Sequence, residues 1–164
     1  NVVVVPMPDS SNYFGLGLSR FLDVDFNMGL TRNHYVDGKM AGHSNGNIRT
    51  KYNVVKSVVQ NKNVVLAEDL ILTGETLRDT IPLIKNAGAR SVHVATGPRF
   101  KHKCPYDRNL QMEMIAKENN DEQVRNHIGA NSLKFSEIER VKKITGSDVC
   151  DYCITGNLIT KPER

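Results

Sequence analysis

The sequence is short of several features that would fix its class at once. No apolar run approaches the ~20 residues that a membrane-spanning helix needs, so no membrane partner is expected. No signal peptide is expected before the first apolar stretch at Val2, and no internal repeat, low-complexity tract or linker interrupts the chain. Only three cysteines are present. That odd count argues against a disulfide framework and points to a reducing, cytoplasmic setting. Gly15-x-Gly17 lacks the third glycine of a dinucleotide-binding turn and is read as close packing. No Ser/His/Asp or Cys/His pattern for nucleophilic catalysis can be assembled. His34, His43, His93 and His127 have no spacing that makes a metal site, and His93, inside a strand, is read as structural.

What is present is an ordinary globular composition, 39% hydrophobic and 24% charged. A length of 164 residues predicts one domain, 1–164, large enough to bury a core. The net charge of +4 and pI near 9.0 suit an anionic partner. They do not choose between nucleic acid and a polyphosphate, and a plain basic surface fits equally. A start at Asn1, and not at methionine, is what a fragment or a processed form would show.

The chain is organised around Asn63 to Leu77. Val64 to Ala67 reads as a strand buried on both faces, and it runs directly into Glu68 and Asp69. Acids at the end of a buried strand are costly unless they meet a ligand or a cation. Thr73-Gly74-Glu75-Thr76 follows, a turn that opens an amphipathic helix with Leu77, Ile81 and Ile84 on one face. Such a turn aims N–H groups, hydroxyls and a helix amino terminus at one point, which suits a phosphate. The plain alternative is a βα unit whose acids cap the helix.

This stretch resembles the phosphoribosyl pyrophosphate (PRPP) signature of the type I phosphoribosyltransferases: hydrophobics, two acids, then Thr-Gly-x-Thr. The resemblance implies an α/β fold with a mostly parallel central sheet and helices on both faces. It also implies that Glu68 and Asp69 take the ribose hydroxyls, with Mg²⁺ held there mainly through PRPP. Thr73, Gly74, Glu75 and Thr76 would wrap the 5′-phosphate, with Leu70 standing where a serine is usual.

Val2 to Val5 reads as a second buried strand, ended by Pro6-Met7-Pro8-Asp9-Ser10-Ser11. Asp9 and the serines can N-cap the helix carrying Tyr13, Phe14 and Leu18, or bind an anion at its start. Pro-x-Pro-Asp-Ser, taken with Leu-Thr-Arg-Asn-His-Tyr-Val at Leu30 to Val36, is similar to the phosphoribosyltransferase half of the glutamine PRPP amidotransferases. In that family the first segment binds pyrophosphate, which implies catalytic Asp9 and Ser10 and a substrate contact at Ser11. Residues 36–47 hold three glycines and no apolar periodicity, as a lid or binding loop does. The resemblance makes this a lid over PRPP, with Tyr35 at its near edge and catalytic Arg49 and Lys51 at its far edge. The loop is shorter than usual and lacks the family's Arg-Thr-Phe, so its closure departs from the pattern.

Further along, a short helix is expected over 53–60, and a helix from Glu75 to a left-handed cap at Gly88, kinked at Pro82. A strand at Val92 to Ala95, a connection from Gly97 to Asp107, and helices around 108–118 and 121–128 follow. A last helix should open on the capping box Ser136-x-x-Glu139. Cys104, Cys150 and Cys153 resemble ligands of the four-iron four-sulfur cluster in one branch of the amidotransferases. That branch's fourth cysteine precedes the first strand and is not in this chain. The alternatives are zinc with His102 as fourth ligand, or three plain thiols. Of these, the cysteine-bearing tail at 146–164 is expected to bind at most one zinc and no intact cluster.

The expected enzyme is therefore a pentosyltransferase that binds PRPP and Mg²⁺ and passes the phosphoribosyl group to ammonia, giving 5-phosphoribosylamine for purine synthesis. Its ammonia would come from a glutaminase domain that this chain does not contain. A homo-oligomer is expected, and nucleic acid is not. Two other readings stay open: a nucleobase salvage phosphoribosyltransferase, which the Thr-Gly-x-Thr form of the turn fits, and a non-catalytic PRPP or nucleotide sensor.

Overall fold

The structure is a computed structural model that describes residues 1–33, 51–105, 112–146 and 149–157. Tyr35, the 36–47 lid, Arg49, the first part of the expected 108–118 helix and the end of the tail lie outside the described residues.

The run of valines forms β1 (Val2–Pro6), because four β-branched residues in succession suit a strand covered on both faces. Val3, Val4 and Val5 are completely buried, each worth roughly 1.5 to 3 kcal/mol of burial. α1 (Asn12–Leu22) returns over the sheet to β2 (Asp25–Phe26), which pairs in parallel with β1. β3 (Leu30–Arg32) and β4 (Tyr52–Val54) make a separate antiparallel pair. α2 (Lys56–Val59) leads into β5 (Asn63–Glu68), then α3 (Glu75–Asn86) and β6 (Ser91–Pro98). A 3-10 turn at Ile115–Lys117 precedes α4 (Asp121–Ile128), β7 (Ser132–Ser136), α5 (Ile138–Thr145) and α6 (Tyr152–Thr155).

The five-stranded sheet runs β2-β1-β5-β6-β7 with every pair parallel. Its faces are covered by different helices. Gly15 of α1 lies against Pro6 and Ala67, where a Cβ would meet theirs at 3.1 and 3.4 Å. The opposite face, with Val3, Val5, Val64 and Leu66, shares one buried cluster with Leu77, Ile81 and Ile84 of α3. Gly17, by contrast, faces open space, so close packing holds for Gly15 alone.

Two further expectations need correcting. Ser136 belongs to β7, and α5 starts after Glu137 with no side-chain cap. The capping box sits instead on α4, where Asn120 accepts from Gln123 N–H and the Gln123 side chain accepts from Asn120 N–H. The expected 108–118 helix is, in its described part, only the 3-10 turn at Ile115–Lys117. α3 does carry Pro82 in its interior, and Gly88 beyond its end has φ +98°.

Candidate functional site

From β1 the chain moves to β2 on one side, and from β5 it moves to β6 and β7 on the other. The carboxyl ends of the neighbours β1 and β5 therefore open on the point where strand order reverses, the place where open parallel sheets bind ligands.

The turn after β1 is fastened to β5. Met7 N–H donates to the Ala67 carbonyl at 2.9 Å, and Tyr52 Oη donates to the Pro8 carbonyl at 3.3 Å. The Pro8–Asp9 peptide is cis. Ser11, expected on the substrate, is fully buried and turned to the acids. Its Oγ accepts from Asp69 N–H at 2.9 Å and donates to Asp69 Oδ1 at 3.4 Å. Asp9 stands out toward Arg32 of β3, 4.0 Å away. Lys51 lies with its Nζ 5.2 Å from the centre of the Tyr52 ring, close enough for its charge to reach Glu68.

The two acids behave differently. Burial, then the hydrogen bond and charge of Asp69, push the Glu68 carboxyl up to about 9, and Lys51 only partly offsets this. For Asp69 burial acts upward too. Hydrogen bonds from Glu68, Ser10 and Leu70 N–H outweigh it and hold Asp69 below the ordinary carboxylate range. The Leu70 N–H to Oδ1 distance is 2.9 Å. The pair thus holds a proton between an acidic and a basic carboxyl. Gly97 of β6 closes the other side, its N–H donating to the Asp69 carbonyl at 3.2 Å.

The turn from Thr73 to Thr76 needs its glycine, because Gly74 has φ +80° and its Cα faces Ile128 and His127 at the end of α4. Glu75 N–H donates to Thr73 Oγ1 at 3.4 Å. Ser10, Glu68, Asp69, residues 70–74, Thr76 and Met112 line one cavity of about 410 Å³, within the range of small-ligand sites. The Glu75 side chain is not part of that lining. The structure therefore brings together Ser10, Glu68, Asp69, Leu70, Thr73, Gly74 and Thr76, with Asp9 and Lys51 nearby. Sequence reasoning missed Arg32, Gly97 and Met112, which reach the site only through the fold.

The cysteines lie well along the chain from these residues. Lys101 and His102 N–H both donate to the Cys153 carbonyl, at 2.8 and 3.0 Å, so the tail does fold back on the connection after β6. Buried Asp151 anchors it through Lys142 Nζ at 2.6 Å. Burial, then the Cys104 and Cys150 thiols, push the Cys153 thiol up. All three thiols thus share one neighbourhood, yet among the described residues no three His, Cys, Asp or Glu side chains are arranged to hold a metal ion. His93 is structural, bonded on its two ring nitrogens to Ser91 and Ser132 at 2.8 Å each. No helix among the described residues is long and apolar enough to cross a membrane.

Known proteins share this fold. The chain is 34% identical to the amidophosphoribosyltransferase of Methanocaldococcus jannaschii and 32% identical to that of Bacillus subtilis, in each case over 97% of this chain and 36% of the relative. It thus spans about a third of the length of the curated relatives it matches. A solved structure titled as the glutamine PRPP amidotransferase of B. subtilis complexed with ADP and GMP superposes with a TM-score of 0.86 and 31% identity, covering 98% of this chain and 38% of that one. The profile of the phosphoribosyl transferase domain matches residues 1–126, the span that carries β1, the acid pair, the turn after β5 and most of α4. On that match the chain belongs to the phosphoribosyl transferase domain family.

Proposed function

We propose that the domain binds PRPP with Mg²⁺ and transfers its phosphoribosyl group to ammonia, releasing pyrophosphate and forming 5-phosphoribosylamine in purine synthesis. One observation carries this reading: the acid pair and the Thr73–Thr76 turn line a single cavity whose other wall is Ser10 of the Pro-x-Pro-Asp-Ser loop. A ribose with its 5′-phosphate in the turn and its hydroxyls on Glu68 and Asp69 would direct C1 toward Asp9 and Ser10. There the pyrophosphate would be held by loop N–H groups and hydroxyls, with Lys51 adding positive charge.

The chemistry is mainly positional and electrostatic. The ribosyl centre gains oxocarbenium character as charge builds on the leaving pyrophosphate, and preformed donors stabilise that charge without reorganising. Two adjacent carboxyls, one kept protonated in the absence of a cation, fit an oxygen-ligated dication. Mg²⁺ bound with PRPP would neutralise charge on the pyrophosphate and ribose oxygens. No general base is required when the acceptor is free ammonia.

Ammonia would be delivered by a glutaminase domain outside this chain, in a cytoplasmic homo-oligomer. Cys104, Cys150 and Cys153 are the residues that would take up zinc or cluster iron, in a structural role outside the cavity. Incubation with PRPP, Mg²⁺ and either ammonia or nucleobases, followed by product analysis, tests the reading. Phosphoribosylamine supports it, a nucleotide supports the salvage alternative, and PRPP binding without turnover supports a sensor.

A further inference from the structure

The turn that would hold the 5′-phosphate carries an acid of its own. Glu75 is the first residue of α3, where N–H groups lack intrahelical acceptors and the helix dipole attracts negative charge. The field that favours a phosphate there favours the Glu75 carboxylate too, so the two anions compete for one place. In the structure the carboxylate is drawn out of the turn. Its Oε2 meets Arg78 Nη2 at 2.5 Å, and its Oε1 faces His127 Nε2 at 3.9 Å. Thr73, Gly74 and Thr76 line the cavity while Glu75 does not. Behind the turn, Gly74 is packed against His127 and Ile128.

We propose that Arg78 is a positioning residue for the phosphate turn, an ion-pair latch one helical turn on that keeps the Glu75 carboxylate off the anion site. The inference rests on reading residues 73–76 as the phosphate turn. Arg78 need not touch the ligand, since its guanidinium is committed to Glu75 on the outer face of α3. Released, the Glu75 side chain is free to swing over the amino terminus of α3 and compete with the incoming phosphate.

The test is calorimetry of ribose 5-phosphate and, separately, of magnesium pyrophosphate, which does not use this turn. Arg78→Ala should weaken ribose 5-phosphate binding about tenfold, the equivalent of roughly 1.4 kcal/mol, and leave pyrophosphate binding unchanged. Adding Glu75→Gln to Arg78→Ala should restore ribose 5-phosphate binding, because the competing charge is gone. Equal affinity in wild type and Arg78→Ala would overturn the latch, as would a double variant that stays weak, since Arg78 would then be a direct ligand. Loss of both ligands in Arg78→Ala would mark a structural fault and also overturn it. Wild-type protein that binds pyrophosphate but not ribose 5-phosphate would remove the phosphate-turn reading itself, and the latch with it.

Discussion

Ser11 and Asp69 are 58 residues apart in sequence and joined by two hydrogen bonds: the Ser11 hydroxyl accepts from Asp69 N–H and donates to the Asp69 carboxylate. This contact ties the loop after β1 to the acid pair after β5, so a shift of one is passed to the other. Ser11→Ala leaves a buried N–H without its acceptor, which costs about 1 to 3 kcal/mol. The expected result is a lower urea midpoint with an unchanged slope, together with weaker PRPP binding. An unchanged midpoint would show that water replaces the hydroxyl.

Glu68 is held in the folded domain at a cost in stability that depends on pH. Its folded pKa near 9 lies above the ordinary 4.5, so between these values the folded state holds a proton that the unfolded state has released. Stability of the ligand-free domain therefore falls as pH rises through that window. Glu68→Gln should flatten this slope and raise stability at neutral pH by about 0.5 to 2 kcal/mol, while PRPP binding weakens. Melting temperatures of both proteins from pH 5 to pH 9, read as a difference, check it; parallel curves would remove Glu68 as the source.

The parts legible in the sequence are those written in consecutive residues. Val2–Val5 and Val64–Ala67 are apolar runs, Val92–Ala95 is one but for His93, and each became a strand; β1 is buried on both faces, while Val65 in β5 and His93 and Ala95 in β6 are half-buried. The acid pair and the Thr73–Thr76 turn are equally local, and they line the cavity. β7 escaped notice because only Phe135 in Ser-Leu-Lys-Phe-Ser is buried, leaving no apolar run to see. β3 and β4 escaped because their pairing spans the segment between Arg32 and Tyr52. Ser136 carries a cap motif, but pairing with Pro98 commits it to the sheet, and tertiary context overrides the local signal. The contacts of Arg32 with Asp9, Gly97 with Asp69 and Arg78 with Glu75 follow from topology or rotamer and leave no mark on composition.

Gly97 has a role that its place in a strand would not suggest. A Cβ there would fall 2.2 Å from the Asp69 carbonyl oxygen, which is backbone and cannot yield without moving the acid pair. Gly97→Ala should cost about 1 to 3 kcal/mol as overpacking and should also impair PRPP binding more than any equally destabilising change remote from the site. Calorimetric affinity compared with a destabilised control such as Val59→Ala, in α2 before the amino end of β5, separates the two effects. Equal affinities would show that the strand absorbs the methyl group elsewhere.

Removal and analysis of metal test the cysteines. Cys150 and Cys153 lie on a short tail that the Cys153 carbonyl holds against the segment bearing Cys104 and that the Asp151–Lys142 ion pair ties to α5. The Cys153 thiol is pushed up by burial and by its two neighbours, so at neutral pH the group is short of thiolate. A cation that draws thiolates together would reverse that order, and His102, on the same segment, could complete a four-ligand zinc site. Three cysteines without a fourth would leave a four-iron cluster with an open corner, exposed to loss. Anaerobically purified chain should therefore contain at most one zinc and no stoichiometric iron or sulfide. Cys153→Ser should abolish any zinc while leaving PRPP binding intact, because the thiols do not line the cavity. Stoichiometric iron and sulfide in these 164 residues would overturn this expectation and require a further ligand within the chain.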